Sequence, residues 1–552
     1  MAPARLAIVL GTALAAAAAP GDAAGPAGAV ATEHPLAAAA GAEVLRAGGS
    51  VVDAAIAAAT AVCVVHASSC GLGGGGFALV HEARGRDLAL DYREQAPASA
   101  TPDRFRVQGT LDPSLLRRGG LAVAVPGEVA GLVALHRRLG RLPLRRVLAP
   151  AIRLAGEGFS LAEAPHLQRE IERSHPMLAA DPGLRGIFLA EGAPPGAEFR
   201  IVQRDLARIL DAVAADGTRA FYRGPTARAI AAAVRERGGV LTEADLARYR
   251  PVWRRPLVGT FRGRRVVTFP PPGSGGVLLE MLGMLARDDL LALGPGSATT
   301  LHLLSAVMAQ GFADRARWYG DPAFTEVPVV SLLACSRLRA LRARMSTLRV
   351  TPPDVTSAGD RGTAHVSVVD AEGNAAAITT TINTAFGAGI LVPGTGVILN
   401  NEMDDFALAP DLPNVYGLTG AAANALAPGK RPQSSMSPSV VLAGGRPELV
   451  VGGSGGPTII SATLQVVLGV TAFGLGLREA VEAPRVHDQA LPQVLTVEPG
   501  IAPDVRSQLE RLGHRIAVLP VIGAVSAAGL APGGVPTAAG DPRKDGGATV
   551  VP

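Results

Sequence analysis

Lysine, cysteine and aromatic residues are scarce in this sequence. Of 552 residues, three are cysteine, 4% are aromatic, and lysine occurs only at Lys430 and Lys544. Each scarcity excludes something. Cys63, Cys70 and Cys335 are too few for a disulfide framework, and an odd number leaves at least one without an intrachain partner. Cys63 lies in an alanine-rich helical pattern and reads as a buried thiol. Neither the cysteines nor the ten histidines have metal-site spacing, and no HExxH pattern occurs, so no metal or other cofactor is expected. Few aromatics leave the core to Ala, Leu and Val and offer no platform for stacked bases. The net charge of +5 comes from scattered arginines. The densest groups, Arg262 to Arg265 and Leu338 to Met345, are short and mixed with glycine or apolar positions, which argues against nucleic-acid binding.

What is present points to a globular protein with a large buried core: 48% of residues are apolar and 18% charged. Length alone favours several domains. The N-terminus, "MAPARLAIVLGTALAAAAAPGDAAG", has one positive side chain, a short apolar run and then small residues. This predicts a signal peptide over residues 1–24, cleaved between Ala19 and Ala24, and an exported protein, periplasmic or secreted. The apolar run is too short for a membrane span in the mature protein.

Helices are expected over Pro35 to Val65, with a Gly-Gly-Ser break, over Pro126 to Phe159, over Leu206 to Gly238 and over Val277 to Trp318. Strands are expected at "GFALV", "LALDYRE", Val258 to Phe269 and through most of Thr363 to Val451. Interleaved helices and strands place the fold in the α/β or α+β class. The cluster "GLGGGGF" lacks both the GxGxxG register and a following Lys-Ser/Thr, so it reads as a tight bend and not as a phosphate cradle.

The segment "DRGTAHVSVVDAEGNAAAITTTIN" (Asp360 to Asn383) is a predicted hairpin opened by Thr363. A threonine hydroxyl is a poor nucleophile unless a base stands beside it. A chain cut between Gly362 and Thr363 would supply one, the new α-amine of Thr363 itself.

The motifs around it carry a resemblance. "GTAHVSVVD", "TTTINTAFG", "NNEMDDF", "PNVYGL", "KRPQSSMSPS" and "GGSGGP", with "GLGGGGF", "DYREQAP", "VPGEVAGL", "PPPGSGG" and "FADRARWYGDP" upstream, together resemble the γ-glutamyltransferase (γ-glutamyltranspeptidase) family of N-terminal-nucleophile hydrolases. The resemblance implies a four-layer αββα sandwich built from two pieces of one precursor, a large subunit (25–362) and a small one (363–552). Thr363 matches the catalytic threonine and Thr381 a second threonine bonded to it. Asn383, two positions on, is expected on the same strand face. Arg93, Ser434 and Ser435 match the groups that bind the substrate α-carboxylate. Glu402 and Asp405, with Asn383, suit its α-ammonium. Gly455 and Gly456 match oxyanion-hole amides, and Tyr416 a lid tyrosine in a loop spanning Asp411 to Pro428.

The implied activity is cleavage of γ-glutamyl amides such as glutathione through a γ-glutamyl-threonine ester, with transfer to water or to an amino-acid or peptide acceptor. Two alternatives stand beside it. One is an N-terminal-threonine acylase acting on glutaryl-type amides; the other is an uncleaved γ-glutamyl-peptide-binding protein. Ala364 and Glu402 depart from residues common in the family, without removing its chemistry. The C-terminal stretch after "GDPRKDGG" lacks an amphipathic close and is expected to fray.

Overall fold

The computed structural model describes residues 27–345, 362–410, 412–491 and 494–552; the expected leader lies outside them. Two antiparallel sheets carry the architecture. The first has seven strands in the order Gly547–Val551, Gly28–Thr32, Ala364–Asp370, Ala375–Thr381, Gly75–Glu82, Arg86–Tyr92 and Val252–Arg254. The second has six: Pro536–Ala539, Ala524–Leu530, Arg446–Ser454, Ser439–Ala443, Arg264–Thr268 and Leu257–Phe261.

The sheets face each other across a core of small and branched side chains, among them Ala29, Leu79, Val369, Ala377, Val440 and Val450. Phe77 stacks on Phe269 there, with ring centroids 4.1 Å apart. Helices cover both outer faces. Val51–Val65, capped by a reciprocal Ser50–Asp53 pair, lies on the first sheet. Gly275–Leu285 and Thr458–Thr471 lie on the second. The alanines of Val51–Val65 are fully buried, which lets that helix approach the sheet closely. The result is the expected αββα sandwich, one layered unit where length alone favoured several domains.

Three expectations need correction. Most of Thr363 to Val451 was expected as strand. Among the described residues between Thr381 and Ser439 only Leu391–Val392 and Val397–Ile398 are strands, and the others form loops and 3-10 turns, some of which line the site. The C-terminal end does not fray: Gly547–Val551 pairs with Gly28–Thr32 along its full length. Cys63 is not a free thiol; it forms a disulfide with Cys70 at a Cα separation of 4.9 Å. In a continued helix seven residues would separate them by about 10.5 Å, but the helix stops at Val65 and the chain turns back. Cys335 is free and exposed.

Candidate active site

Thr363 sits immediately before the Ala364–Asp370 strand and is buried, 4% exposed.

 

Its amide donates to the Ser69 carbonyl at 3.0 Å, and the same carbonyl accepts the Ile382 amide at 3.2 Å. The Cys63–Cys70 disulfide closes the loop that carries Ser69. Both Gly362 (φ 83°) and Thr363 (φ 71°) are left-handed. For glycine that costs little, whereas for a β-branched threonine it stores about 1–3 kcal/mol of backbone strain at the Gly362–Thr363 junction.

The hairpin register pairs Ala364 with Thr380, so Thr381 comes opposite Thr363 and their hydroxyl oxygens lie 3.1 Å apart. Thr381 Oγ1 also accepts the Asn383 amide at 2.8 Å. Asn383 reaches the site by a different route from the one expected. The strand ends at Thr381, and Asn383 (φ 73°) turns the chain out of it, so a turn and not strand alternation places its side chain. Its amide nitrogen donates to the Asn401 carbonyl at 3.0 Å, and its Oδ1 accepts the Tyr416 hydroxyl at 2.9 Å.

Arg93 follows the Arg86–Tyr92 strand and is 1% exposed. One guanidinium nitrogen meets Glu402, a second meets Asp405, and Glu94 stands 3.4 Å away. The group expected to bind a carboxylate and the pair expected to bind an ammonium therefore neutralise each other. Burial opposes the charge on Arg93, but Glu402, Glu94 and Asp405 outweigh it and push its pKa up. Burial also pushes Glu94 up to about 7 against the pull of Arg93. It raises Glu402 further, with Glu94 and Asp405 adding their repulsion. Burial likewise takes Asp404 to about 7.

Ser434 and Ser435 lie on the neighbouring loop, beside the "PPPGSGG" turn. The Ser434 amide donates to the Pro272 carbonyl at 2.8 Å, and Ser434 Oγ accepts the Met436 amide at 3.2 Å. Gly455 (φ 124°) and Gly456 (φ 59°) follow the Arg446–Ser454 strand and precede the Thr458–Thr471 helix. Among the described residues neither of their amides donates a hydrogen bond, leaving both available to an oxyanion. Tyr416 covers this loop: a Cβ on Gly456 would stand 2.7 Å from the Tyr416 ring. Gln489 holds the Tyr416 carbonyl at 3.0 Å.

Thr363, Thr381, Arg93, Asn383, Glu402, Asp405, Tyr416, Ser434, Ser435 and Gly456 line one small cavity of about 20 Å³, room for about one water. Every expected site residue is thus brought together, with Gly455 adjoining. Sequence reasoning passed over Glu94, one position after Arg93 in "DYREQAP". It also passed over Arg315, in "FADRARWYGDP", whose Nε donates to Ser274 Oγ at 3.1 Å. Burial pulls the Arg315 pKa down to about 10 against Asp405. Arg315 lies in a charged last turn with Asp314 and Arg317, so no local signal set it apart.

Among the described residues, His34, His66 and Asp545 are the one group close enough to share a metal ion. They do not suit one. His34 Nδ1 accepts the Leu36 amide at 3.1 Å, and its Nε2 is 2.8 Å from the Glu163 carbonyl, so both ring nitrogens are engaged.

Facing sheets between helical layers, with a threonine hydroxyl at the head of a central strand, define an N-terminal-nucleophile hydrolase fold. Residues 37–551 match the family model described as Gamma-glutamyltranspeptidase, and the chain belongs to that family. It is 39% identical over 511 residues to the glutathione hydrolase proenzyme of Escherichia coli (strain K12), covering 91% of this chain and 88% of that protein. It is 38% identical over 536 residues to the Acylase ACY 1 proenzyme of Pseudomonas sp. (strain SE83), covering 95% and 93%. The crystal structure of cephalosporin acylase from Bacillus halodurans superposes with a TM-score of 0.85 at 30% identity, covering 98% of this chain and 99% of that one.

Proposed function

We propose that this chain is a γ-glutamyltransferase with glutathione hydrolase activity, made as a precursor that cuts itself between Gly362 and Thr363. The observation that carries the reading is the buried Arg93–Glu402–Asp405 cluster in the same cavity as the Thr363 hydroxyl. An α-amino-acid head group is a zwitterion. Its carboxylate would take Arg93 with Ser434 and Ser435, and its ammonium would take Glu402 and Asp405 with Asn383. The γ-carbonyl would then reach Thr363 Oγ1.

In the cut protein the Thr363 α-amine takes the hydroxyl proton as Oγ1 attacks the γ-carbonyl. Gly455 and Gly456 amides receive the oxyanion, and Thr381 orients Oγ1. The amide leaves as an amine carrying the transferred proton. A γ-glutamyl ester remains, which water or an amino-acid or peptide acceptor resolves. Tyr416, hydrogen-bonded to Asn383, closes over the bound glutamyl group and favours small donors.

Self-cleavage is supported by the left-handed Gly362–Thr363 junction and by the topology. Gly28–Thr32 of the proposed large subunit (25–362) lies between Gly547–Val551 and Ala364–Asp370 of the proposed small one (363–552), so a cut leaves the pieces interlocked. Export through the 1–24 leader, to the periplasm or the medium, belongs to the same proposal. Among the described residues no helix is long and apolar enough to cross a membrane.

Intact mass and N-terminal sequencing test the cut. Two fragments are expected, the smaller beginning Thr-Ala-His-Val, together with release of glutamate from glutathione. Thr363→Ala should stay whole and inactive; an active Thr363→Ala chain would refute the assignment. A second reading, an acylase on glutaryl-type amides, is favoured by the likeness to the two acylases. Such a donor has no ammonium, and nothing in it would engage Glu402 and Asp405.

A further inference from the structure

The chain carries 52 basic residues, and only Lys430 and Lys544 are lysine. Both are buried. Lys430 Nζ donates to the Ala423 and Ala425 carbonyls at 2.8 and 2.9 Å. A compact ammonium fits among converging carbonyl oxygens where a flat guanidinium does not. Lys544 is the more telling of the two. Its Nζ lies 2.5 Å from the Thr363 carbonyl oxygen, 3.4 Å from the Gly362 carbonyl oxygen, 3.2 Å from Ser454 Oγ and 3.0 Å from Glu33 Oε2.

The turn that presents Lys544 is braced from several sides. Asp541 caps it by accepting the Arg543 amide at 3.0 Å, and pairs with buried Arg485 at 2.7 Å. Arg543 pairs with Glu498 at 2.7 Å. Asp545, left-handed at φ 55°, accepts the His166 amide at 2.6 Å. On the opposite side, Glu33 is anchored by the His365 amide at 3.1 Å.

We propose that Lys544 is the electrophilic residue of the chain's own cleavage, its ammonium receiving the oxyanion that forms on the Gly362 carbonyl. This rests on the self-cleavage reading above. Thr363 Oγ1 attacks the Gly362 carbonyl carbon, a C–O bond forms, and the carbonyl oxygen becomes an oxyanion within reach of Lys544. The C–N bond to Thr363 then breaks, and the hydroxyl proton ends on the departing nitrogen as the new α-amine. Water hydrolyses the resulting ester, returning the Thr363 hydroxyl and leaving Gly362 as a carboxylate. Gly455 and Gly456 serve the later reaction with substrate; Lys544 serves the first one, on the chain itself. After the cut its bond to the Thr363 carbonyl keeps the nucleophile in place.

The test follows freshly made full-length precursor by intact mass over time. Wild type should divide at Gly362–Thr363; a wild-type chain that stays whole refutes the self-cleavage reading itself, and this proposal with it. With wild type cutting, Lys544→Met should slow division by about 10²–10³-fold, the range for loss of one oxyanion donor, while melting like uncut Thr363→Ala. Lys544→Ala should be uncut and regain cleavage in proportion to added ethylamine. Cleavage of Lys544→Met at the wild-type rate overturns the proposal, as does a folded Lys544→Ala chain that no amine restores. Glu33→Gln keeps the lysine but removes its anchor, and covers the case in which both truncations fail to fold. It should slow cleavage at least 10-fold, and a wild-type rate there also overturns the proposal.

Discussion

Replacing Asp405 by Asn separates the two amide-cleaving readings most sharply. Asp405 is one of two carboxylates directly on Arg93, and it faces the cavity where a substrate ammonium would lie. Asparagine keeps the shape and removes the charge, while Glu402 and Glu94 continue to hold Arg93. A hydrogen bond to a charged group contributes about 1.5–3 kcal/mol, so kcat/KM for a γ-glutamyl p-nitroanilide should fall roughly 10- to 100-fold. A glutaryl p-nitroanilide has the carboxylate but no ammonium. It brings one more negative charge into a cavity already lined by Glu402 and Asp405, so removing Asp405 should leave its kcat/KM unchanged or raise it. The quantity to read is the ratio of the two kcat/KM values, measured by initial rates on chains shown by mass to be fully cut. It should shrink at least 10-fold. An equal fall for both donors, or an unchanged ratio, would refute the assignment of Asp405 to the ammonium and favour an acylase.

Thr381→Val removes the hydroxyl 3.1 Å from Thr363 Oγ1 and should lower kcat about 10-fold with little change in KM, measured on the same two donors. Cys63→Ser with Cys70→Ser opens an eight-residue loop and should lower unfolding stability by about 2 kcal/mol, read in urea; because that loop carries the Ser69 carbonyl that holds the Thr363 amide, activity should fall in parallel. Burial pushes Glu128 up to about 8 from 4.5, so the folded chain keeps a proton the unfolded chain has lost. Stability should therefore fall as pH rises from about 4.5 to 8, and Glu128→Gln should be the more stable chain at pH 9 by up to about 5 kcal/mol, seen as a flatter dependence of melting temperature on pH.

The parts of the site that sit on short local patterns were legible in the sequence. Thr363 opens a hairpin whose turn and alternation are plain, and Gly455 and Gly456 precede an apolar helix. The helices Pro35–Arg46 and Val51–Val65 fall on either side of the expected Gly-Gly-Ser break. What escaped depends on tertiary placement. The pairing of Arg93 with Glu402 spans 309 residues, and no period in the chain announces it. Gly547–Val551 has a weak strand pattern and becomes a strand because Gly28–Thr32 offers it a partner edge. Asn383 was placed by strand alternation, but a left-handed residue breaks that alternation at the site. Lys544 stood in a turn that reads as a polar tail, and only the fold brings it to the Gly362 and Thr363 carbonyls.

The self-paired cluster also bears on how a donor enters and leaves. A bare Arg93 in this cavity would be a buried cation without a partner, which costs several kcal/mol; Glu402 and Asp405 remove that cost. A γ-glutamyl head group adds no net charge to the cluster. Its carboxylate can take the place of the side-chain carboxylates at Arg93 as they turn to its ammonium, so each buried charge keeps a partner throughout the exchange. On the proposed function, departure of glutamate would let the same side chains pair again. A head group of either single charge breaks that symmetry, leaving one partner of the cluster uncompensated. On this account selection rests on the charge balance of the acyl group as much as on its size, and enlarging the cavity by opening the Tyr416 loop would admit bulkier acyl groups without relaxing the demand for a zwitterion.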